Sequence, residues 1–171
     1  MKNKKVKSLV EIALMTAVLV VVSQISIPTA FGVPITLQIF VVCLSGYLLG
    51  LKKSLIVIGV YVALGCVGVP VFANFGGGVF HLVSYTGGFI WGFFSVVLLT
   101  SVKQKHLKIP LGILGVLICH FIGATQYSLV GKIPFYAAFF TSSLPFILKD
   151  ILLVVFAFII AKMIKKRIKT N

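Results

Sequence analysis

Acid is almost missing from this sequence. Two of its 171 residues are Asp or Glu, against 16 Lys and Arg. A carboxylate cage for a hard cation cannot be assembled from so few, and the two, Glu11 in the first apolar run and Asp150 in the last, give no local carboxylate pair for general acid–base chemistry. The three histidines, His81, His106 and His120, are scattered, so no metal-ligand spacing is present. Cys43, Cys66 and Cys119 each lie within an apolar run and form no Cys-x-x-Cys pair, which excludes a disulfide framework or a zinc site and leaves packing as their role. No glycine-rich phosphate loop of the Gly-x-x-x-x-Gly-Lys type occurs, so the chain is not a self-sufficient nucleotide-driven pump. Charge as a whole is scarce: 11% of residues are charged, less than half of the roughly one quarter usual in soluble domains.

Apolar residues fill that place. They make up 60% of the chain, more than one soluble core of this size can hide. Lipid is the solvent such a composition fits. Six stretches are long and apolar enough to be read as spans, about 9–27, 35–51, 54–69, 83–102, 109–129 and 144–161. The reading is of an all-α membrane protein, one domain over residues 1–171, with six transmembrane helices. The basic stretch from Met1 to Lys7 followed by an apolar run resembles a signal peptide. The run is too long for one and no cleavage site follows, so it is read as a retained first span.

The net charge of +14 would suggest nucleic acid in a soluble protein. Here the cations sit in short clusters between spans: Lys2, Lys4, Lys5 and Lys7; Lys52 and Lys53; Lys103, Lys105 and Lys108; Lys162, Lys165, Lys166, Arg167 and Lys169. With six spans these fall on one side of the bilayer, and the positive-inside rule makes that side cytoplasmic, with both termini. Anionic headgroups, not nucleic acid, are the expected counterpart.

The opposite face carries 28–34, 70–84 and 130–143. The middle segment, PVFANFGGGVFHLVS, is too apolar for a solvated loop and too rich in glycine for a helix. It is read as a re-entrant segment lining a cavity, since irregular backbone at membrane depth needs protein or a cavity to satisfy it. Small residues at helix-packing spacing recur at Ala13 and Ala17, Gly46 and Gly50, and Gly88 and Gly92.

The two acids differ in depth. Glu11 lies close to the first lysine cluster, and two readings stand for it: a snorkelling surface carboxylate or an intersubunit contact. Asp150 lies about six residues, roughly 9 Å, into the sixth span, where an ionisable group points to function. Lys149 adjoins it, and neighbours at i and i+1 do not face one another on a helix. Asp150 is therefore expected to turn inward while Lys149 reaches to the outer face. Thr36, Gln38, Asn74, His81, Ser84, Tyr85, Thr86, Trp91, Tyr127 and Lys132 gather toward the same face and could furnish a cavity. His120, alone in the fifth span, reads as a hydrogen-bonded core residue.

Four stretches, VPITLQ at 33–38, GCVGVPVFANFGGG at 65–78, YTGGF at 85–89 and LPFILKD at 144–150, together resemble the BioY family, the biotin-specific substrate-binding (S) components of energy-coupling-factor (ECF) transporters. The resemblance covers nearly the whole chain. It implies a six-helix monomer with a biotin cavity at the external face, no cofactor and no enzymatic activity of its own. Its partners would be a transmembrane coupling subunit and two ATP-binding subunits in the cell membrane, where Ala13 and Ala17 would dock on the coupling subunit. It matches Asp150, Gln38 and Thr36 to family positions. Asp150 and Asn74 are then expected at the ureido group, Lys149 or Lys132 at the carboxylate, and Tyr85, Phe89 and Trp91 as wall. The chain departs from the family at 84–89, where Gly-Pro-Thr-Gly-Gly-Tyr is usual, and at Leu153, where a basic residue is common. Another vitamin on the same architecture, and a membrane protein with no small ligand, remain the alternatives.

Overall fold

A helix is the one open element that satisfies its own backbone in lipid, so continuous apolar runs in this chain have little other choice. The structure, a computed structural model, describes residues 2–170; Met1 and Asn171, and the side chains of Lys2 and Lys169 among the expected basic clusters, lie outside what is described. Eight helices form: α1 Lys2–Gln24, α2 Gln38–Leu49, α3 Leu51–Cys66, α4 Phe80–Val83, α5 Gly87–Thr100, α6 Lys108–Gly131, α7 Phe135–Ser142 and α8 Leu144–Thr170. Six of them, all but the short α4 and α7, match the six expected spans. The segments 3–24, 105–131 and 144–168 are each long and apolar enough to cross a bilayer unaided.

Of the remaining spans, α3 has its expected length, while α2 and α5 are shorter than expected for a local reason. The second was expected from 35, but Ile35–Thr36 pairs antiparallel with Ser26–Ile27, in register Ser26 with Thr36, so those peptide groups serve a two-strand ladder and α2 starts at Gln38. At 12 and 14 residues, α2 and α5 reach only about 18 and 21 Å, short of the roughly 30 Å hydrocarbon thickness. The deficit lies at one end, where both helices begin. Irregular chain from 25–37 and 67–86 fills it. The last helix runs past 161 to 170, its basic tail still helical.

The other end gathers the cations. Lys165 Nζ donates to the Tyr47 carbonyl at 2.6 Å, one of the orphan carbonyls that end α2. Tyr47 donates its own hydroxyl to the Lys108 carbonyl at 2.9 Å, and the Lys108 ammonium lies 5.6 Å from the centre of its ring. Glu11 pairs with Lys53 across α1 and α3. The Glu11 carboxylate stays part-exposed at the lysine-rich end, as a surface carboxylate would, and its partner lies within the chain. The start of α1, the α2–α3 turn, the start of α6 and the end of α8 therefore meet at one end of the bundle, as an even number of crossings requires.

The core is Val, Ile, Leu and ring side chains between these helices, with Tyr47, Tyr61, Phe72 and Leu19 fully buried, while the outer surface stays apolar at Leu14, Leu148 and Phe156. That reversal of the soluble pattern is what lipid contact demands. Glycine sets the closest approach. A Cβ at Gly92 would strike Cys119 on α6, and one at Gly88 would strike the Ile122 carbonyl and Gly123, so this pair does seat α5 on α6. Gly46 likewise sits under Thr100. Gly50 does not pack. It has nothing within 4 Å and a φ of +73°, and it turns the chain between α2 and α3. Ala13 and Ala17 face outward, exposed on α1.

Gly92→Ala should therefore destabilise by about 1–3 kcal/mol through overpacking. Gly59→Ala, at a helical site with nothing within 4 Å, should be neutral or up to about 1 kcal/mol more stable. Thermal unfolding of the two variants in detergent checks the contrast; equal effects would contradict the close α5–α6 seat.

Candidate ligand-binding site

Where α2 and α5 stop short, the bundle holds a cavity of about 310 Å³. That is at the lower end of the roughly 300–1,000 Å³ of small-molecule sites. Ile39, Phe72, Phe89, Ile90, Phe93 and Phe146 give it an apolar lining. Thr36, Gln38, Asn74, His81, Ser84, Tyr85, Thr86, His120, Ser142, Lys149 and Asp150 supply the polar groups.

The floor is a hydrogen-bonded knot. Gln38, 9% exposed, donates from Nε2 to Ser23 Oγ at 2.9 Å and to Tyr61 Oη at 2.7 Å, and its Oε1 accepts from Thr36 Oγ1 at 3.1 Å. Ser23 belongs to α1 and Tyr61 to α3, so one glutamine pins three helices. Tyr61 then meets Phe72 edge to face at 5.4 Å, and Phe72 sits over Gly65, where any Cβ would collide with its ring. The glycine of GCVGVP is thus the seat of a cavity-wall aromatic.

The glycine-rich segment forms a tight turn, closed by a bridge between Phe72 and Gly76. Asn74 and Phe75 both adopt left-handed backbone, φ +57° and +56°, which asparagine tolerates and phenylalanine resists. The end of α1 holds them there. Gln24 Oε1 accepts from the Phe75 N–H at 3.0 Å, and Ser26 Oγ donates to Asn74 Oδ1 at 2.6 Å. On the opposite wall, Gln126 of α6 donates to the Leu82 and Ser84 carbonyls at 2.8 and 2.7 Å, and Gly87 leaves room for that Leu82 carbonyl. Tyr85 lies 5.3 Å from Tyr127, whose hydroxyl donates to the Phe31 carbonyl, closing the rim between α6 and the 28–34 turn.

Asp150 turns inward as expected and is 4% exposed. His120 Nε2 lies 3.1 Å from Oδ2, and Lys149 Nζ lies 2.7 Å from Oδ1 while donating to the Thr36 carbonyl at 2.8 Å. The direct Lys149–Asp150 pair corrects the sequence reading. The i, i+1 rule concerns where Cβ atoms point; the four-carbon lysine stem sweeps across that divergence because Thr36 draws the ammonium to the same side. The approach to Oδ1 lacks hydrogen-bond alignment, so this oxygen has no hydrogen-bond partner among the described residues.

Two more expectations fail. Trp91 does not line the cavity. It is 44% exposed and donates from Nε1 to the Leu82 carbonyl at 3.2 Å. At about 100° per residue, Phe89, Ile90 and Phe93 occupy the inner face of α5 and Trp91 falls off it. Lys132 is exposed in a left-handed turn after α6 and is not part of the lining either.

His120 is the main residue the sequence reading left out of the site. It is hydrogen-bonded and buried as expected, but it also lines the cavity. The signal was there, an ionisable group in an apolar span. Ser142, also left out, lines the cavity too, as does His81, which the sequence reading had placed toward the cavity. Four of the five buried side-chain polar atoms that lack hydrogen-bond partners among the described residues, His81 Nδ1, His120 Nδ1, Ser142 Oγ and Asp150 Oδ1, belong to cavity-lining residues. Buried polar groups are rarely left so. Their concentration here fits a small ligand with both donors and acceptors. Among the described residues, no three His, Cys, Asp or Glu converge as a metal site.

A profile of the BioY family matches residues 1–170. The probable biotin transporter BioY of Pyrococcus horikoshii is 36% identical over 158 residues, covering 92% of this chain and 96% of that protein. The biotin transporter BioY of Thermotoga maritima is 37% identical over 170 residues, covering 94% and 96%. A crystal structure of the S-component for biotin from an ECF-type ABC transporter superposes with a TM-score of 0.89 at 27% identity, covering 97% of this chain and 94% of that one.

Removing one hydroxyl tests the floor. Tyr61→Phe takes an acceptor from Gln38 and should cost about 1 kcal/mol. Its thermal unfolding temperature in detergent should fall, and one unchanged from the parent would show that the knot does not hold the three helices.

Proposed function

The chain belongs to the BioY family, and on that premise we propose that it is the biotin-binding membrane subunit of an ECF-type importer. The observation that carries this reading is the polar wall of an otherwise apolar cavity, whose lining residues include four with buried polar atoms that lack hydrogen-bond partners among the described residues, the Asp150 carboxylate among them. Biotin offers the complement. Its ureido group has two N–H donors and one carbonyl acceptor, its fused ring and chain are apolar, and its carboxylate needs donors.

Asp150 accepts a ureido N–H on Oδ1. Lys149, with three donors on its ammonium, gives one to the ureido oxygen while keeping Thr36 and Asp150. Asn74, whose Oδ1 is occupied by Ser26, offers its NH2 to a ligand oxygen. Phe89 and Tyr85 supply wall. Gln38 and Thr36 act mainly as floor, since their polar groups are engaged with one another and with Ser23 and Tyr61.

The basic end faces the cytoplasm with both termini, and the cavity opens outside, following the positive-inside rule. The subunit itself performs no chemistry. A transmembrane coupling subunit and two ATP-binding subunits power release, and the coupling subunit docks on the small-residue face of α1 at Ala13 and Ala17, which is exposed beside Leu14 and Val18.

Asp150→Asn should weaken biotin at least about tenfold, because a neutral amide is a poorer acceptor and leaves Lys149 without its counter-charge. Isothermal titration with the purified protein reads this, and equal affinities would remove Asp150 from the site. Biotin should also raise the parent's unfolding temperature by mass action. A shift with another vitamin and none with biotin would reassign the ligand, and no shift with any would end the binding reading. Separately, Ala13→Leu with Ala17→Leu should abolish co-purification with the coupling subunit and leave biotin binding intact. Assembly that survives both would refute the docking face.

A further inference from the structure

The buried imidazole beside Asp150 has no role in the contacts assigned so far. His120, 3% exposed, stands at the cavity wall on α6. One ring nitrogen faces Asp150 Oδ2 at 3.1 Å, and the other, Nδ1, is buried without a partner. Ser143 Oγ donates to the His120 carbonyl at 3.2 Å, and Phe89 lies edge-on at 5.8 Å, so backbone and ring are held from two sides. A histidine kept only for structure would have both nitrogens satisfied.

Its protonation follows from charge balance. The groups around it are Asp150 and Lys149 from α8 and the neighbouring Cys119 on its own helix. One cation already faces the one carboxylate. A charged imidazole would add an uncompensated charge at membrane depth, which low-dielectric surroundings disfavour. The tautomer that fits is neutral, with the proton on Nε2 donated to Asp150 Oδ2. Nδ1 is then a lone-pair acceptor.

Two acceptors that belong to residues lining this wall thus lack hydrogen-bond donors among the described residues, Asp150 Oδ1 and His120 Nδ1, with the Lys149 ammonium beside the first. A cyclic urea carries two N–H donors on either side of one carbonyl oxygen. We propose that His120 is a specificity-determining residue whose Nδ1 accepts the second N–H of the ligand's ureido group, while Asp150 takes the first and Lys149 holds the oxygen. The proposal rests on the biotin reading above and deepens it. It explains why a single carboxylate suffices to recognise a group with two donors, and it makes the site reject ligands in which either N–H is blocked.

The test pairs a substitution with ligand chemistry. His120→Gln keeps a donor near the Nε2 position and loses the Nδ1 acceptor. Its affinity for biotin should fall at least about tenfold. For one of the two derivatives of biotin N-methylated on a ureido nitrogen, the one blocked where His120 would bind, the same substitution should change affinity less than about threefold, whereas the other derivative keeps the dependence. An equal loss for biotin and both derivatives, or no loss for biotin, overturns the proposal. If the parent itself fails to bind biotin, the biotin reading has failed. A readout on the parent alone covers a variant that does not fold. In protein with 15N-labelled imidazoles, assigned with His81→Gln and His106→Gln, the His120 Nδ1 resonance should shift on adding biotin and remain that of an unprotonated nitrogen. A resonance that stays put, or that reports a proton on Nδ1, overturns the proposal equally.

Discussion

Asp150 places a carboxylate at 4% exposure inside a bundle whose outer surface is hydrocarbon-compatible, and that burial dictates much of what surrounds it. A lone carboxylate there would be far too costly, so a cation and a hydrogen-bond donor must reach it. Lys149 brings the cation from the same helix, and α6 brings the His120 imidazole, a ring nitrogen 3.1 Å from the other carboxylate oxygen. Lys149 in turn needs Thr36, which fixes where the short β-ladder and the start of α2 lie relative to α8. The cavity is the space these obligations leave open, and its polar wall is a by-product of solving a desolvation problem only partway.

That partial solution is possible because two helices are too short. Were α2 and α5 long enough to cross unaided, side chains would fill the space beneath them. Their shortness hands the remaining thickness to irregular chain, which survives in lipid only when anchored. The anchors are single polar side chains with unusual reach: Gln24 and Ser26 hold the glycine-rich turn, Gln126 holds the approach to α5, and Gln38 holds the floor. Glycine does the complementary work, letting α5 settle on α6 and Phe72 settle on α3.

The two ends of the bundle are built on opposite electrostatic principles. At the basic end lysines face water, an orphan carbonyl, a tyrosine ring and the Glu11 carboxylate, all of which tolerate exposure. At the cavity end charge is sparse: Asp150 is buried with Lys149 beside it, and Lys132 is exposed away from the lining. A ligand entering there meets few competing ions, while partners that must work from the aqueous phase meet a strongly cationic surface. α1 touches both ends: its last turn grips the cavity lining and its outer face carries Ala13 and Ala17.

Much of this was legible from one sequence. Long apolar runs punctuated by lysine clusters point to a helical plan of six segments, because a helix satisfies its own backbone in hydrocarbon and because an even number of crossings gathers the lysine clusters at one end. The depth of Asp150 singled out a residue that the fold buries in the cavity lining, and the resemblance in four short motifs pointed to the family that the comparisons then supported. Side-chain trajectories were not legible. Helical spacing placed Lys149 away from Asp150, but a carbonyl 113 residues upstream, that of Thr36, pulls the ammonium across. Trp91 looked like cavity wall by proximity, and the rotation of α5 against α6 turns it out. His120 read as an ordinary core histidine because its partner lies on another helix. Local pattern determines which segments cross and which groups are too polar to be idle; which polar groups meet is decided by how the helices rotate and slide against one another, and only the packed bundle sets that.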